Sequence, residues 1–359
     1  MVSLADLPLR DDLRGLVPYG APQEPVRVPL NVNENSHPIP EGVAYDIVTS
    51  LAGAVLSANR YPDREFTELR EGLAAYLGDG LNREQLWAAN GSNEVLQQLL
   101  LAFGGPGRAA LGFEPTYSMY PILARGTGTA WIPGTRDDAF ELTAETAVRQ
   151  VREHAPDVVF LCSPNNPTGT PLSLDTIREV YDAARGIVVV DEAYVEFAPP
   201  GTPSAVTLLP GRERLVVSRS MSKAFAFAGA RLGYLAADPA VIDALRLVRL
   251  PYHLSAFTQA AASAALRHSG ELLAVVGDIT AQRDRILTEL PSLGFSPVPS
   301  AANFVLFGGI ADPRTLFAEL LERGILIRDV GIPLHLRVTA GTHEETSEFL
   351  AALTEISRR

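Results

Sequence analysis

The chain has 359 residues, 47% hydrophobic and 20% charged, a length and balance that predict a globular protein with a large buried core and two domains. Its formal net charge of −12 argues against nucleic-acid binding, which asks for a basic face against phosphates, but not against small anions gripped by local arginines. A single cysteine, Cys162, excludes an intrachain disulfide, and no apolar stretch is long enough for a signal peptide or a membrane span, so the expectation is a cytoplasmic protein.

In chain order, residues 1–29 read as an N-terminal arm, Pro-rich in LVPYGAPQEPVRVP and therefore extended. Residues 30–249 read as one large α/β domain. There NGSNEVLQQLLLAFGG places Val95, Leu96, Leu99, Leu100 and Phe103 on one helical face, with Gly91, Ser92 and Asn93 at the helix start and GGPG, from Gly104, as its stop. AALGF, DVVFLCS, GIVVVDEAY and RLVVSRS are short apolar runs, and the last three are β-branched enough to predict strands covered on both faces of a mainly parallel sheet. Between them LSLDTIREVYDAAR is amphipathic and helical. Residues 250–359 combine helical stretches at Ser255 to His268 and Glu271 to Leu290 with strand signals in ANFVLF, GILIRDV and LHLRVTA, which predicts a smaller α+β domain. There is no HExxH, no cysteine-histidine cluster, no P-loop and no GxSxG, so a metal site is not expected.

Ligands of an open parallel sheet collect at the carboxyl ends of its strands, and three polar motifs fall there. SPNNPTG follows DVVFLC, Asp191 and Tyr194 close GIVVV, and Ser220, Ser222 and Lys223 follow RLVV. Each alone has a bland explanation as a turn or a helix cap. Together they supply what pyridoxal phosphate requires: an amine for its aldehyde, an acid for its ring nitrogen and donors for its phosphate. Lys223 is the candidate Schiff-base lysine, whose burial should lower its pKa. Asp191 is the candidate pyridinium partner, and Tyr194 and Asn166 are the candidate donors to the ring oxygen. Ser220, Ser222 and Arg231, with the amides of Ser92 and Asn93 at a helix N-terminus, form a candidate phosphate cup. Tyr117 in GFEPTYSMY follows a strand-like run and is either a ring stacked on the cofactor or an ordinary core tyrosine.

SPNNPTG, VDEAY and SMSKAFAFAGARLGY, in this order, resemble the fold-type-I pyridoxal phosphate aminotransferases. NVNEN, NRYPD, EPTYSMY, SAANFVLF, GILIRDV and LRVTAGT resemble their histidinol-phosphate aminotransferase branch, and the similarity runs from about Leu7 to the end of the chain. The resemblance implies a large domain built on a mainly parallel seven-stranded sheet, the cofactor assignments above, and catalytic roles for Lys223, Asp191 and Tyr194. It implies that Tyr61 of NRYPD reaches the phosphate of the cofactor in a neighbouring subunit, so that the active sites are complete only in a homodimer. It implies that Arg337 binds the carboxylate of glutamate or 2-oxoglutarate, that Arg328 and Tyr19 hold the phosphate of histidinol phosphate, and that Asn33 of NVNEN belongs to the substrate site. Ser220 stands where the family commonly has threonine, which keeps the hydroxyl; Ser36 and His37 follow NEN, where proline is common, and bear on the amino donor.

The implied reaction is a ping-pong transamination between L-histidinol phosphate and 2-oxoglutarate, a step of histidine biosynthesis. Its rivals are an aromatic amino acid aminotransferase on the same scaffold, a phosphothreonine-type decarboxylase and, remotely, a cofactor-binding regulatory module.

Overall fold

The structure, a computed structural model, describes residues 4–358. Twelve strands occur in chain order: β1 Val28–Pro29, β2 Leu86–Asn90, β3 Ala109–Glu114, β4 Ala130–Thr135, β5 Val158–Cys162, β6 Ile187–Asp191, β7 Leu215–Ser220, β8 Leu232–Ala237, β9 Ser296–Pro297, β10 Phe304–Gly308, β11 Ile325–Leu326 and β12 Leu336–Thr339. Seven of them form one sheet in the order β2-β8-β7-β6-β5-β3-β4. Strands β4, β3, β5, β6 and β7 run parallel, and β8 lies antiparallel to both β7 and β2.

Every residue of β5, β6 and β7 is buried, which is why VVFLC, IVVVD and the start of LVVSRS are continuous rather than alternating in hydrophobicity. Amphipathic helices between the strands turn their apolar stripes inward: Val95, Leu96, Leu99 and Leu100 of Ser92–Phe103, and Ile177, Val180 and Tyr181 of Leu174–Ala183. Their starts are written in the sequence. Thr143, Ser173 and Ser255 each accept a hydrogen bond at a helix N-cap from the amide three residues on.

A second, antiparallel sheet has the order β12-β10-β9, with the helices Val276–Glu289 and His343–Ser357 nearby. The arm residues 16–27 are mostly exposed and form neither helix nor strand until β1 pairs in parallel with β11. Beyond it the strip Leu30 to Asn33 is tied to the second sheet: Thr339 N donates to Leu30 O, and Asn303 Nδ2 donates to Asn33 O.

The structure differs from the sequence reading in one helical stretch. The stretch Glu271 to Leu290 is part of two helices, Ser269–Leu273 and Val276–Glu289. No α-helix follows Ser220; turns and a single 3-10 turn at Ala228–Ala230 lead directly into β8. Strand β4, AWIPGT, carries a proline that a central strand would not tolerate, and it is the sheet's edge. Among the described residues no helix is long and apolar enough to cross a membrane, and no group of three His, Cys, Asp or Glu side chains could hold a metal ion.

Candidate active site

A cavity of about 560 Å³ opens at the carboxyl ends of β5, β6 and β7. It is lined by fourteen of the fifteen candidate residues, namely all except Tyr61.

Lys223 enters from the turn after β7, and its Nζ donates to Val32 O at 3.0 Å. Burial, with Arg337 and Arg231 nearby and Glu34 opposing them, brings its pKa down to about 8. About half of the amine is therefore neutral near pH 8.

Asp191 ends β6 and is fully enclosed. Tyr120 Oη donates to its Oδ2 at 2.8 Å and Ser218 Oγ to its Oδ1 at 3.1 Å. Burial pushes the Asp191 carboxyl up, against these hydrogen bonds. Across the cavity, Asn166 Nδ2 and Asn33 Nδ2 both donate to Tyr194 Oη, at 3.1 and 3.0 Å. Burial raises the Tyr194 pKa to about 12, opposed by Arg337, so the phenol keeps its proton and can donate it in turn.

The far wall of the cavity is a cradle for an anion. Ser92 and Asn93 begin the helix Ser92–Phe103, whose first amides and dipole favour negative charge, and Ser220, Ser222 and Arg231 converge on the same cavity. Two glycines make this approach possible. Gly91 has φ +83°, and a Cβ there would lie 2.5 Å from Arg231 Nη2; a Cβ on Gly233 would lie 2.1 Å from Ser92 N. Tyr117, half-buried, donates from Oη to Asn93 Oδ1 at 3.2 Å, which sets its ring at the cavity edge.

Arg337 comes from β12. Its Nη1 donates to Asn166 Oδ1 at 2.6 Å and its Nη2 to Asn31 O at 2.9 Å, while the buried Nε has no hydrogen-bond partner among the described residues. Burial lowers its pKa to about 10, which still leaves a cation at neutral pH. Arg328 is its cross-strand neighbour: the two residues exchange backbone hydrogen bonds at 2.9 Å. The Arg328 guanidinium makes no ion pair among the described residues and sits 6.0 Å from the ring of Tyr19, which is 51% exposed on the arm. Tyr61 alone stays outside the cavity, 79% exposed and stacked on Tyr252 at 4.4 Å.

This donor set fits pyridoxal phosphate on the structure's own terms. One buried amine of lowered pKa, one enclosed carboxylate, phenol and amide donors, and an anion cradle that glycines at 91 and 233 leave room for all face one space. Sequence reasoning did not single out Tyr120, Asn31 or Glu34. Nothing in YSMY marked Tyr120, which lies in the helix Met119–Gly126 while Tyr117 precedes it.

The chain is 64% identical over 350 residues to the histidinol-phosphate aminotransferase of Paenarthrobacter aurescens (strain TC1), an alignment covering 97% of this chain and 94% of that one. It is 57% identical over 357 residues to the histidinol-phosphate aminotransferase of Thermobifida fusca (strain YX), covering 99% and 97%. The crystal structure of histidinol-phosphate aminotransferase from Sinorhizobium meliloti in complex with pyridoxal-5'-phosphate superimposes with a TM-score of 0.83 at 26% identity, over 93% of this chain and 91% of that one. Residues 26–353 match the family described as aminotransferase class I and II, to which this chain belongs.

Proposed function

We propose that the chain transfers an amino group between L-histidinol phosphate and 2-oxoglutarate, giving 3-(imidazol-4-yl)-2-oxopropyl phosphate and L-glutamate, as a step of histidine biosynthesis. The observation that carries this reading is the pairing of Arg337 with Arg328 on one wall of the cavity. One guanidinium is buried and locked by two hydrogen bonds, and the other is half-buried with no ion pair among the described residues. A site that alternates between a carboxylate and a phosphate needs two such anion partners, and guanidinium matches both.

Bound here, pyridoxal phosphate supplies an aldehyde that takes up amines and a protonated ring that withdraws electrons. The chain's residues do the rest. Lys223 would be the amine that holds the aldehyde and, when free, the base at its Nζ for the substrate Cα proton, a task suited to a buried amine whose pKa is lowered to about 8. Asp191 holds the ring-nitrogen proton. Asn166 and Tyr194 would donate to the ring oxygen, while Ser92, Asn93, Ser220, Ser222 and Arg231 would hold the phosphate and Tyr117 would cover the ring. Arg337 orients the carboxylate of glutamate or 2-oxoglutarate, Arg328 and Tyr19 orient the phosphate of histidinol phosphate, and Asn33 braces Tyr194 at the substrate mouth.

The active unit in this reading is a homodimer. The helix Glu41–Leu56 exposes Tyr45 and Leu56 at 76% and 87%, and Tyr61 follows it in the chain, equally exposed; a second copy would cover these apolar groups. Tyr61 would then reach the phosphate of the neighbouring cofactor.

Arg328 provides the test of substrate class. Arg328→Ala should raise KM for histidinol phosphate about 100-fold, the scale of losing a charge-assisted pair, and leave L-phenylalanine turnover unchanged. Steady-state kinetics on both amines decides it. Equal losses, or none, would instead favour an aromatic amino acid aminotransferase.

A further inference from the structure

We infer that Tyr120 is a positioning residue for the reaction: with Ser218 it fixes both oxygens of Asp191, so that the acid is aimed, and its carboxylate form favoured, by neutral donors. The inference rests on the reading of Asp191 as the group that holds the ring-nitrogen proton.

Tyr120 is completely buried in the helix Met119–Gly126. Its ring stacks on Phe160 of β5, centroids 4.7 Å apart and planes 9° from parallel, and meets the ring of Tyr117 edge-on at 5.4 Å. The phenol therefore cannot swing away, and the same side chain braces the cavity tyrosine and the acid. Its Oη reaches Asp191 Oδ2 at 2.8 Å. Ser218 stands opposite Asp191 in the β6–β7 register, and its hydroxyl takes Oδ1. Burial holds the Tyr120 pKa well above the usual tyrosine value, so it stays a donor throughout the physiological range.

The surroundings of Asp191 explain why this matters. Facing it are Tyr120, Tyr117 and Tyr194, Ser218 on β7, the Ala193 amide and Cys162 on β5, with Glu192 next in the chain; the buried Arg136 acts on Cys162 and Tyr120 behind them. None of the groups that hydrogen-bond Asp191 is a cation, and no ion pair involves it among the described residues. Glu192 instead pairs with Arg219 at 3.0 Å and adds negative charge beside the site. Burial and Glu192 both favour a protonated Asp191, and the hydrogen bonds oppose them. A protonated acid could not hold the ring-nitrogen proton. Removing the Tyr120 hydroxyl takes away a donor to the charged form, so the Asp191 pKa must rise, and activity that needs its carboxylate must vanish at a higher pH than in wild type.

The test compares holoenzymes of wild type, Tyr120→Phe and Asp191→Asn. Phenylalanine preserves the stack on Phe160 and removes only the hydroxyl. The expected result for Tyr120→Phe is a kcat about tenfold lower in both half-reactions, with KM values within about twofold and the acid limb of the kcat profile about one pH unit higher, the scale of one hydrogen bond to a charged group. Cofactor affinity of the apoprotein, followed by fluorescence quenching, should also weaken. An unmoved acid limb in Tyr120→Phe, with Asp191→Asn inactive, would overturn the inference while leaving the reading of Asp191 intact. An Asp191→Asn enzyme equal to wild type would remove that reading and the inference with it. Should Tyr120→Phe fail to fold, Ser218→Ala must move the acid limb in the same direction, and no movement there would be equally fatal.

Discussion

Lys223→Ala should abolish transamination, with kcat in either half-reaction below about 10⁻⁴ of wild type, since it removes the attachment point and the general base together. The phosphate cradle of Ser92, Asn93, Ser220, Ser222 and Arg231 remains intact in this variant, so the cofactor should still bind without its covalent link. The holoprotein spectrum separates the two effects: cofactor would be retained on gel filtration, but the visible absorbance of the lysine-bound form would be gone. The buried amine also sets a pH dependence. With its pKa lowered to about 8, the neutral form that attacks the aldehyde grows as pH rises through that value. Capture of added cofactor by wild-type apoprotein should therefore accelerate from pH 7 to 9 and level off above. A variant that keeps the visible band, or turns over substrate at more than a per-cent level, would sink the assignment of Lys223.

Arg337→Ala should lower kcat/KM for glutamate about 10³-fold, the upper range for removing one partner of a buried charge-assisted pair. The loss has two sources. The substrate carboxylate loses its fork, and Asn166 Oδ1 and Asn31 O lose the hydrogen bonds they accept from Nη1 and Nη2. Orphaning those acceptors should also cost about 1–3 kcal/mol of stability, visible as a lower Tm of the apoprotein. Arg337→Lys should not restore activity, because one ammonium cannot span both acceptors and still offer a planar pair of donors to a carboxylate. A kcat/KM for glutamate within tenfold of wild type would place the carboxylate elsewhere, with Arg328 as the first alternative.

The legible parts of this fold are those where one local rule dominates. Strands β5, β6 and β7 are continuous apolar runs because they lie in the middle of the sheet with both faces covered, and the polar residues that end them necessarily fall in one row. That row, Asn166, Asp191, Tyr194, Ser220, Ser222 and Lys223, was readable as a site for the same reason. Strands β2 and β8 were not singled out, because LWAAN and LGYLAA are rich in alanine and glycine and take their extended form from pairing with each other rather than from propensity. Arg328 and Arg337 stand next to one another only because of a single antiparallel bridge between segments nine residues apart, which no periodicity announces. Tyr120 escaped for a related reason. A buried tyrosine in an apolar helix looks like core, and only the third dimension shows its hydroxyl on Asp191.

Recognition of a phosphorylated amine by Arg328 and Arg337 is what sets this substrate class apart. The most direct measurement is a spectral titration of the cofactor-loaded wild-type protein with L-histidinol phosphate, histidinol and L-phenylalanine in parallel. Conversion to the pyridoxamine form by histidinol phosphate at concentrations at least about 100-fold below those needed for histidinol is the predicted result, the worth of one charge-assisted anion contact. Equal response to histidinol and its phosphate, or preference for phenylalanine, would contradict it.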